Sequence, residues 1–128
     1  MVVLMKWEDF RYFKSKEFDS PDDPGSGSEM DKLFVARLDQ LRDTVGEPLR
    51  INSGFRTEKR NASAAVKGKK NSAHLRGLAA DILCTNSKLR FKILLAAVYM
   101  GFQRIGIGKT FIHLDDDSSL PREVIWLY

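Results

Sequence analysis

The two histidines of this 128-residue chain, His74 and His113, each lie close to a carboxylate in an otherwise apolar setting. His74 precedes Asp81 by seven residues in "NSAHLRGLAADI" (71–82), and Asp81 interrupts the strand-like run "LAADIL" (78–83). A carboxylate drawn into an apolar strand is costly unless it is paired, hydrogen-bonded or bound to a metal. Gly77 permits a turn between them, so both side chains can converge on one point. His113 belongs to the alternating segment "FIHLDDD" (111–117), with Ile112 and Leu114 facing the opposite way and Asp115 the same way. Two imidazoles and one carboxylate suit a tetrahedral zinc ion whose fourth position is left to water, the mark of a catalytic rather than a structural site. The competing reading of a lone histidine is a hydrogen-bonded core or surface residue, and spacing alone leaves both readings standing.

The elements that must position these residues follow from periodicity and turn formers. Residues 7–18 mix aromatics and charges and read as an amphipathic lead-in, and "DSPDDPGSGS" (19–28) reads as a surface loop. A helix is expected from Ser28, with Asp31 in the capping-box position. Its apolar face is Met30, Leu33, Phe34, Leu38, Leu41 and Val45, and it ends at Gly46. "PLRINS" (48–53) predicts a strand. Residues 54–72 are polar and irregular, with one helical turn near 62–66, and "LAADIL" predicts a second strand. Another helix is expected from Ser87 as N-cap through Phe91, Leu94, Leu95 and Val98 to Gly101. Three short strands, "QRIGIG", "TFIHLD" and "VIWLY", complete an α+β fold with a small antiparallel sheet and flanking helices.

Length predicts one domain over residues 1–128. Hydrophobic content of 43% and charged content of 30% argue for an ordered globular chain over a disordered one. The longest apolar run (93–100) is too short to span a bilayer, so no membrane partner is expected. The N-terminal residues lack the pattern of a signal peptide. A single cysteine, Cys84, excludes an internal disulfide and a thiolate zinc cluster. The net charge of +4 suits an anionic partner, nucleic acid or an acidic polymer such as a bacterial wall. Apart from Lys67, Lys69 and Lys70 the basic residues are scattered, and no basic-aromatic motif supports nucleic acid, so none is expected; a monomer is. "GIGKT" (106–110) looks like the tail of a phosphate-binding loop, but Gln103 stands where that motif needs glycine and a strand follows instead of a helix. "NAS" at Asn61 is a glycosylation match without a secretory context.

"SAHLRGLAADI" resembles the Ser-x-His-x-x-Gly-x-Ala-x-Asp signature of the zinc peptidases that cut bacterial cell-wall peptides. These are the D-alanyl-D-alanine carboxypeptidase-like peptidases (peptidase M15). They include phage L-alanyl-D-glutamate endopeptidases and vancomycin-resistance D,D-dipeptidases, and are related in fold to the hedgehog signalling domain. "INSGFRTEKRN" is similar to the family's Ser-Gly-Tyr-Arg…Asn segment, "FIHLD" to its second histidine segment, and "YFKSKEF" to the carboxypeptidase-like branch. The resemblance implies a hedgehog/D,D-peptidase-like fold with His74, Asp81 and His113 as zinc ligands. It also implies that Arg56 binds a substrate carboxylate or carbonyl oxygen; an arginine in a turn is otherwise simply solvent-exposed. Ser72 and Asn61 then either support the site or fix loops.

One departure stands out. Many relatives carry an acid or a histidine two to six residues before the last zinc histidine as general base, but residues 107–111 here are Ile, Gly, Lys, Thr and Phe. Asp115 is the closest carboxylate. It takes a proton from zinc-bound water and passes it to the leaving amine, or it orients His113, or it is solvated in the acidic run 115–117. Glu17 and Glu58 are more distant candidates. The implied activity is hydrolysis of peptidoglycan stem peptides by water whose pKa zinc lowers from about 15.7 toward 7. The substrate partner is a peptidoglycan peptide, reached at the cell wall after release of a phage, prophage or bacterial product. The alternatives are a catalytically silent zinc- or peptidoglycan-binding module and a phage structural domain.

Overall fold

The computed structural model describes residues 5–128. Residues 1–4, which begin the stretch read above for a leader, lie outside the described residues.

The first long helix, α1 (Lys32–Val45), starts later than Ser28. Ser28 belongs to a 3₁₀ turn (Ser26–Glu29), and Asp31 is itself the N-cap, its Oδ1 accepting from the Phe34 N–H at 2.9 Å. The Asp31 N–H is held by the Gly77 carbonyl at 2.9 Å, which ties the helix start to the turn after His74. α1 ends at Gly46, at φ +81°. Phe34, Val35, Leu38, Leu41 and Val45 are buried, whereas Leu33, expected in the same stripe, is exposed.

A five-residue helix, α2 (Glu58–Ala62), capped by Thr57, precedes the turn expected near 62–66, which is present, the Ser63 carbonyl accepting from the Val66 and Lys67 N–H groups at 3.2 and 2.8 Å. The last helix, α3 (Ser87–Tyr99), is capped by Asn86 instead of Ser87, with the Asn86 Oδ1 accepting from Leu89 N–H at 2.8 Å. Its buried residues are Ile93, Ala96 and Ala97, while the expected core residues Phe91, Leu95 and Val98 are exposed. The run is apolar nearly all round, so periodicity does not mark one face, and the small alanines are the side that packs closely. The expected surface loop 19–28 is pinned down as well. Ser20, Ser26 and Gly27 are buried, and the Asp19 carboxylate accepts from the Gly25 and Gly27 N–H groups at 3.0 and 2.7 Å.

The strands β1 (Ile51–Ser53), β2 (Ala79–Leu83), β3 (Arg104–Ile107), β4 (Phe111–Asp115) and β5 (Val124–Leu127) form one sheet in the order β1-β2-β4-β3-β5. The fold is α+β. The sheet is antiparallel from β1 to β3, but β5 joins β3 in parallel, because the loop after β4 carries the chain back to the start of β3. One face, with Ala80, Ile82, Ile105, Ile112 and Leu114, joins Phe18, Phe34, Leu38, Leu41 and Ile93 in the core. Each fully buried large apolar side chain contributes about 1.5–3 kcal/mol. The opposite face is free to carry chemistry. No helix among the described residues is long and apolar enough to cross a membrane.

Gly77 is the tightest joint in this arrangement. It has φ +69°, and a Cβ there would lie 2.5 Å from the Glu29 carbonyl oxygen and 2.9 Å from Met30 Cα. Gly46, at φ +81°, would meet nothing within 4 Å. Gly46→Ala is therefore expected to destabilise by about 1 kcal/mol through backbone strain alone, and Gly77→Ala by clearly more. Urea denaturation of the two variants side by side checks the order.

Candidate metal centre

Strand register sets the site. Ser53 pairs with Asp81, Asp81 with His113, His113 with Gly106 and Gly106 with Trp126, a single row across all five strands. Side chains alternate along a strand, so this row lies on the face away from the core. His74 comes from outside the sheet, on a 3₁₀ turn (Ala73–Arg76). The Ser72 hydroxyl caps that turn by accepting from the His74 N–H at 3.2 Å, and Gly77 ends it. The His74 carbonyl accepts from the Arg56 N–H at 3.1 Å, which joins this turn to the segment after β1.

Asp81 Oδ1 is 3.3 Å from His74 Nε2 and 2.9 Å from His113 Nδ1, and one donor atom from each of the three residues lies within 4.8 Å of the others. All three side chains are largely buried, at 3%, 13% and 7% exposure for His74, Asp81 and His113. The outer hydrogen bonds decide which ring nitrogens carry protons. His74 Nδ1 is 2.7 Å from the Gly54 carbonyl, which can only accept, so the proton sits on Nδ1. Burial lowers the His74 pKa against the opposing pull of Asp81, keeping the ring neutral. Its Nε2 lone pair is thus aimed at a carboxylate oxygen, and this buried nitrogen has no hydrogen-bond partner.

His113 Nε2 is 2.7 Å from Asp115 Oδ2 and donates there, which turns Nδ1 toward Asp81. Burial works to lower the His113 pKa, but the hydrogen bonds to Asp115 and Asp81 outweigh it and raise the value. Burial likewise works to raise the Asp81 pKa, yet the hydrogen bond from His113 outweighs it and holds the carboxyl well below the usual carboxylate range. An orphaned imidazole nitrogen facing an ionised carboxylate and a second imidazole nitrogen is the arrangement a divalent cation satisfies, displacing any proton between them. Two borderline nitrogens and one oxygen fit zinc, with a position left over.

Arg56 braces the other side of Asp81. Its Nη2 is 3.1 Å from Asp81 Oδ2, its Nε donates to Ser53 Oγ at 2.9 Å and its Nη1 to Asn61 Oδ1 at 3.2 Å. The side chain is 13% exposed, so Arg56 is no solvated turn residue, and its remaining N–H donors are not spent on these three contacts. Asn61 in turn donates to the Lys69 carbonyl at 2.8 Å, and with Ser72 as a cap both residues fix the loops around the site.

Asp115 is 1% exposed and lies across the imidazole from Asp81. Its Oδ2 receives the His113 proton, while Oδ1 accepts from Arg104 Nε at 2.8 Å and from the Asp117 N–H at 3.1 Å. These contacts take up both oxygens behind His113. Nor is the acidic run solvated. Asp116 accepts from Arg37 Nε at 2.8 Å and Asp117 from Arg76 Nε at 2.6 Å. Ser53, the Gly54 carbonyl, Arg104 and Trp126 were not singled out from sequence. Each acts through strand register or a backbone atom, and Trp126 by itself reads as an ordinary apolar strand residue.

The purified chain is expected to bind one zinc ion, and His74→Ala, Asp81→Ala and His113→Ala each to abolish that binding. Asp115→Asn should weaken binding by about 10–100-fold, the usual effect of losing a partner behind a metal-ligating histidine. Competition against a chromogenic chelator measures all four.

The family model described as Peptidase M15 matches residues 13–115, which include His74, Asp81 and His113. No curated protein matches the chain.

Proposed function

The chain belongs to the peptidase M15 family, and we propose that it is a zinc peptidase hydrolysing peptide bonds in bacterial peptidoglycan stem peptides, of the D-Ala-D-Ala carboxypeptidase or L-Ala-D-Glu endopeptidase type. The observation that carries this reading is the buried, partnerless Nε2 of His74, which shares a small volume with Asp81 Oδ1 and His113 Nδ1. His74, Asp81 and His113 would hold the ion. Bound there, zinc supplies Lewis acidity, acidifying water and polarising a carbonyl.

The chain's own residues supply position and charge. Gly54 and Asp115 fix the two imidazoles in the tautomers that present Nε2 of His74 and Nδ1 of His113. Arg56 holds Asp81 Oδ2, and its unspent N–H donors suit a terminal carboxylate or the oxygen of a tetrahedral centre. Burial of the three ligands limits competing water and strengthens these charge interactions. No step requires a protein nucleophile. On this reading the protein acts at the bacterial cell wall.

A second reading has an observation in its favour. Both Asp115 oxygens are engaged behind His113, so β4 offers no spare carboxylate beside the donors, as a zinc-dependent wall-binding module without hydrolysis would show. One experiment decides. Zinc-loaded protein incubated with purified peptidoglycan is expected to release fragments with new amine termini, identified by mass spectrometry, with a chelator stopping release and added zinc restoring it. Arg56→Ala should lower kcat/KM by about 100-fold, the scale of losing one charged donor at a developing oxyanion. Binding to the wall without new termini would establish the second reading, and cleavage that persists in metal-free protein would end the zinc peptidase reading.

A further inference from the structure

Two glycines in "GIGKT" have a use unrelated to phosphate. Gly106 sits in the row of the metal centre, between His113 and Trp126. A Cβ on Gly106 would lie 2.8 Å from Trp126 Cε2 and Nε1 and 2.7 Å from Tyr128 Cε2. Trp126 of the last strand and Tyr128 just after it therefore lean over β3 through space that only glycine leaves open. The Trp126 ring reaches the ring of His113, with centroids 5.3 Å apart. Tyr128 packs beside Phe111 at 4.8 Å, and a Cβ on Gly108 would collide with that Phe111 ring. The indole is held from a second side by the Arg104 guanidinium, 5.0 Å from its centroid. Tyr128 is 66% exposed and Trp126 is half-buried, so the rings are fixed without being covered.

We propose that Trp126, with Tyr128 packed against it, forms the aromatic wall of the substrate cleft, contacting the part of the peptide that passes over His113. This rests on the peptidase reading and deepens it by assigning a substrate-positioning surface. Arg56, bound to Ser53 and Asp81, stands toward the β1 end of the row, and the indole closes the cleft beyond His113 toward the β5 end. A polar clamp at one end and flat apolar rings at the other is the usual division of labour in a small-ligand cleft. The rings supply contact area at low entropic cost, and the clamp fixes direction.

The test uses the full chain with Trp7→Phe, which leaves Trp126 as the single tryptophan and lies far from the site in sequence. A soluble stem peptide ending in D-alanyl-D-alanine is expected to change Trp126 fluorescence saturably. In hydrolysis assays the protein with Trp126 intact should favour this peptide over the bare D-alanyl-D-alanine dipeptide. Trp126→Ala should collapse that length preference, raising KM for the longer peptide about tenfold, the scale of one aromatic contact, while Trp126→Phe restores most of it. Zinc content, measured in parallel, separates this loss from damage to the metal site. Hydrolysis with silent Trp126 fluorescence, or with the length preference intact in Trp126→Ala, overturns the wall and leaves the peptidase reading standing. A saturable fluorescence change without hydrolysis supports the wall and overturns the peptidase reading. Absence of both overturns the two together.

Discussion

The structure depends on how one buried carboxylate is shared. Asp81 sits mid-strand with 13% exposure, and its two oxygens face different partners: Oδ1 the two imidazoles, Oδ2 the guanidinium of Arg56. An ionised group there is tolerable because each oxygen accepts a hydrogen bond, Oδ1 from His113 and Oδ2 from Arg56, and truncating one partner would leave charge stranded at low dielectric. The same sharing makes the site directional. With Arg56 occupying one oxygen, the other is left to the histidines and to whatever cation they hold.

Support for this centre comes from far apart in the chain and converges on the end of β4. Asp115, Asp116 and Asp117 are each taken by an arginine from a different element: Arg104 on β3, Arg37 on α1 and Arg76 on the turn that carries His74. The first of these couples strand pairing to the orientation of His113. The third closes a loop between the two histidine segments. The link from Gly77 to Asp31 adds a backbone tie to the start of α1, so the helix, the turn and the strand end cannot move independently of the ligands.

The sheet face around the metal centre has unlike ends. One end is polar, where Arg56 is braced by Ser53 and Asn61. The other is aromatic, where Trp126 and Tyr128 occupy space left by Gly106. The parallel addition of β5 makes the second end possible, because it brings the last aromatics beside the row that carries His113.

Much of this could be read without coordinates. The donor types, the glycine between His74 and Asp81, the alternation that puts His113 and Asp115 on one face and the α+β element order are all properties of short windows. Their physics is local: turn formation, side-chain period and the cost of burying a carboxylate. The hydrogen-bond partners of Asp115, the arginine claimed by each aspartate, the true N-caps at Asp31 and Asn86, the buried side of α3 and the placing of Trp126 were decided by tertiary structure. A short window cannot encode strand register or the packing of one element on another. α3 shows this plainly: a helix apolar nearly all round has no preferred side until a neighbour arrives, and the neighbour accommodated its alanines. The chain itself specified which atoms can bind a metal; the fold determined how those atoms are held, because register and ion pairing join residues tens of positions apart.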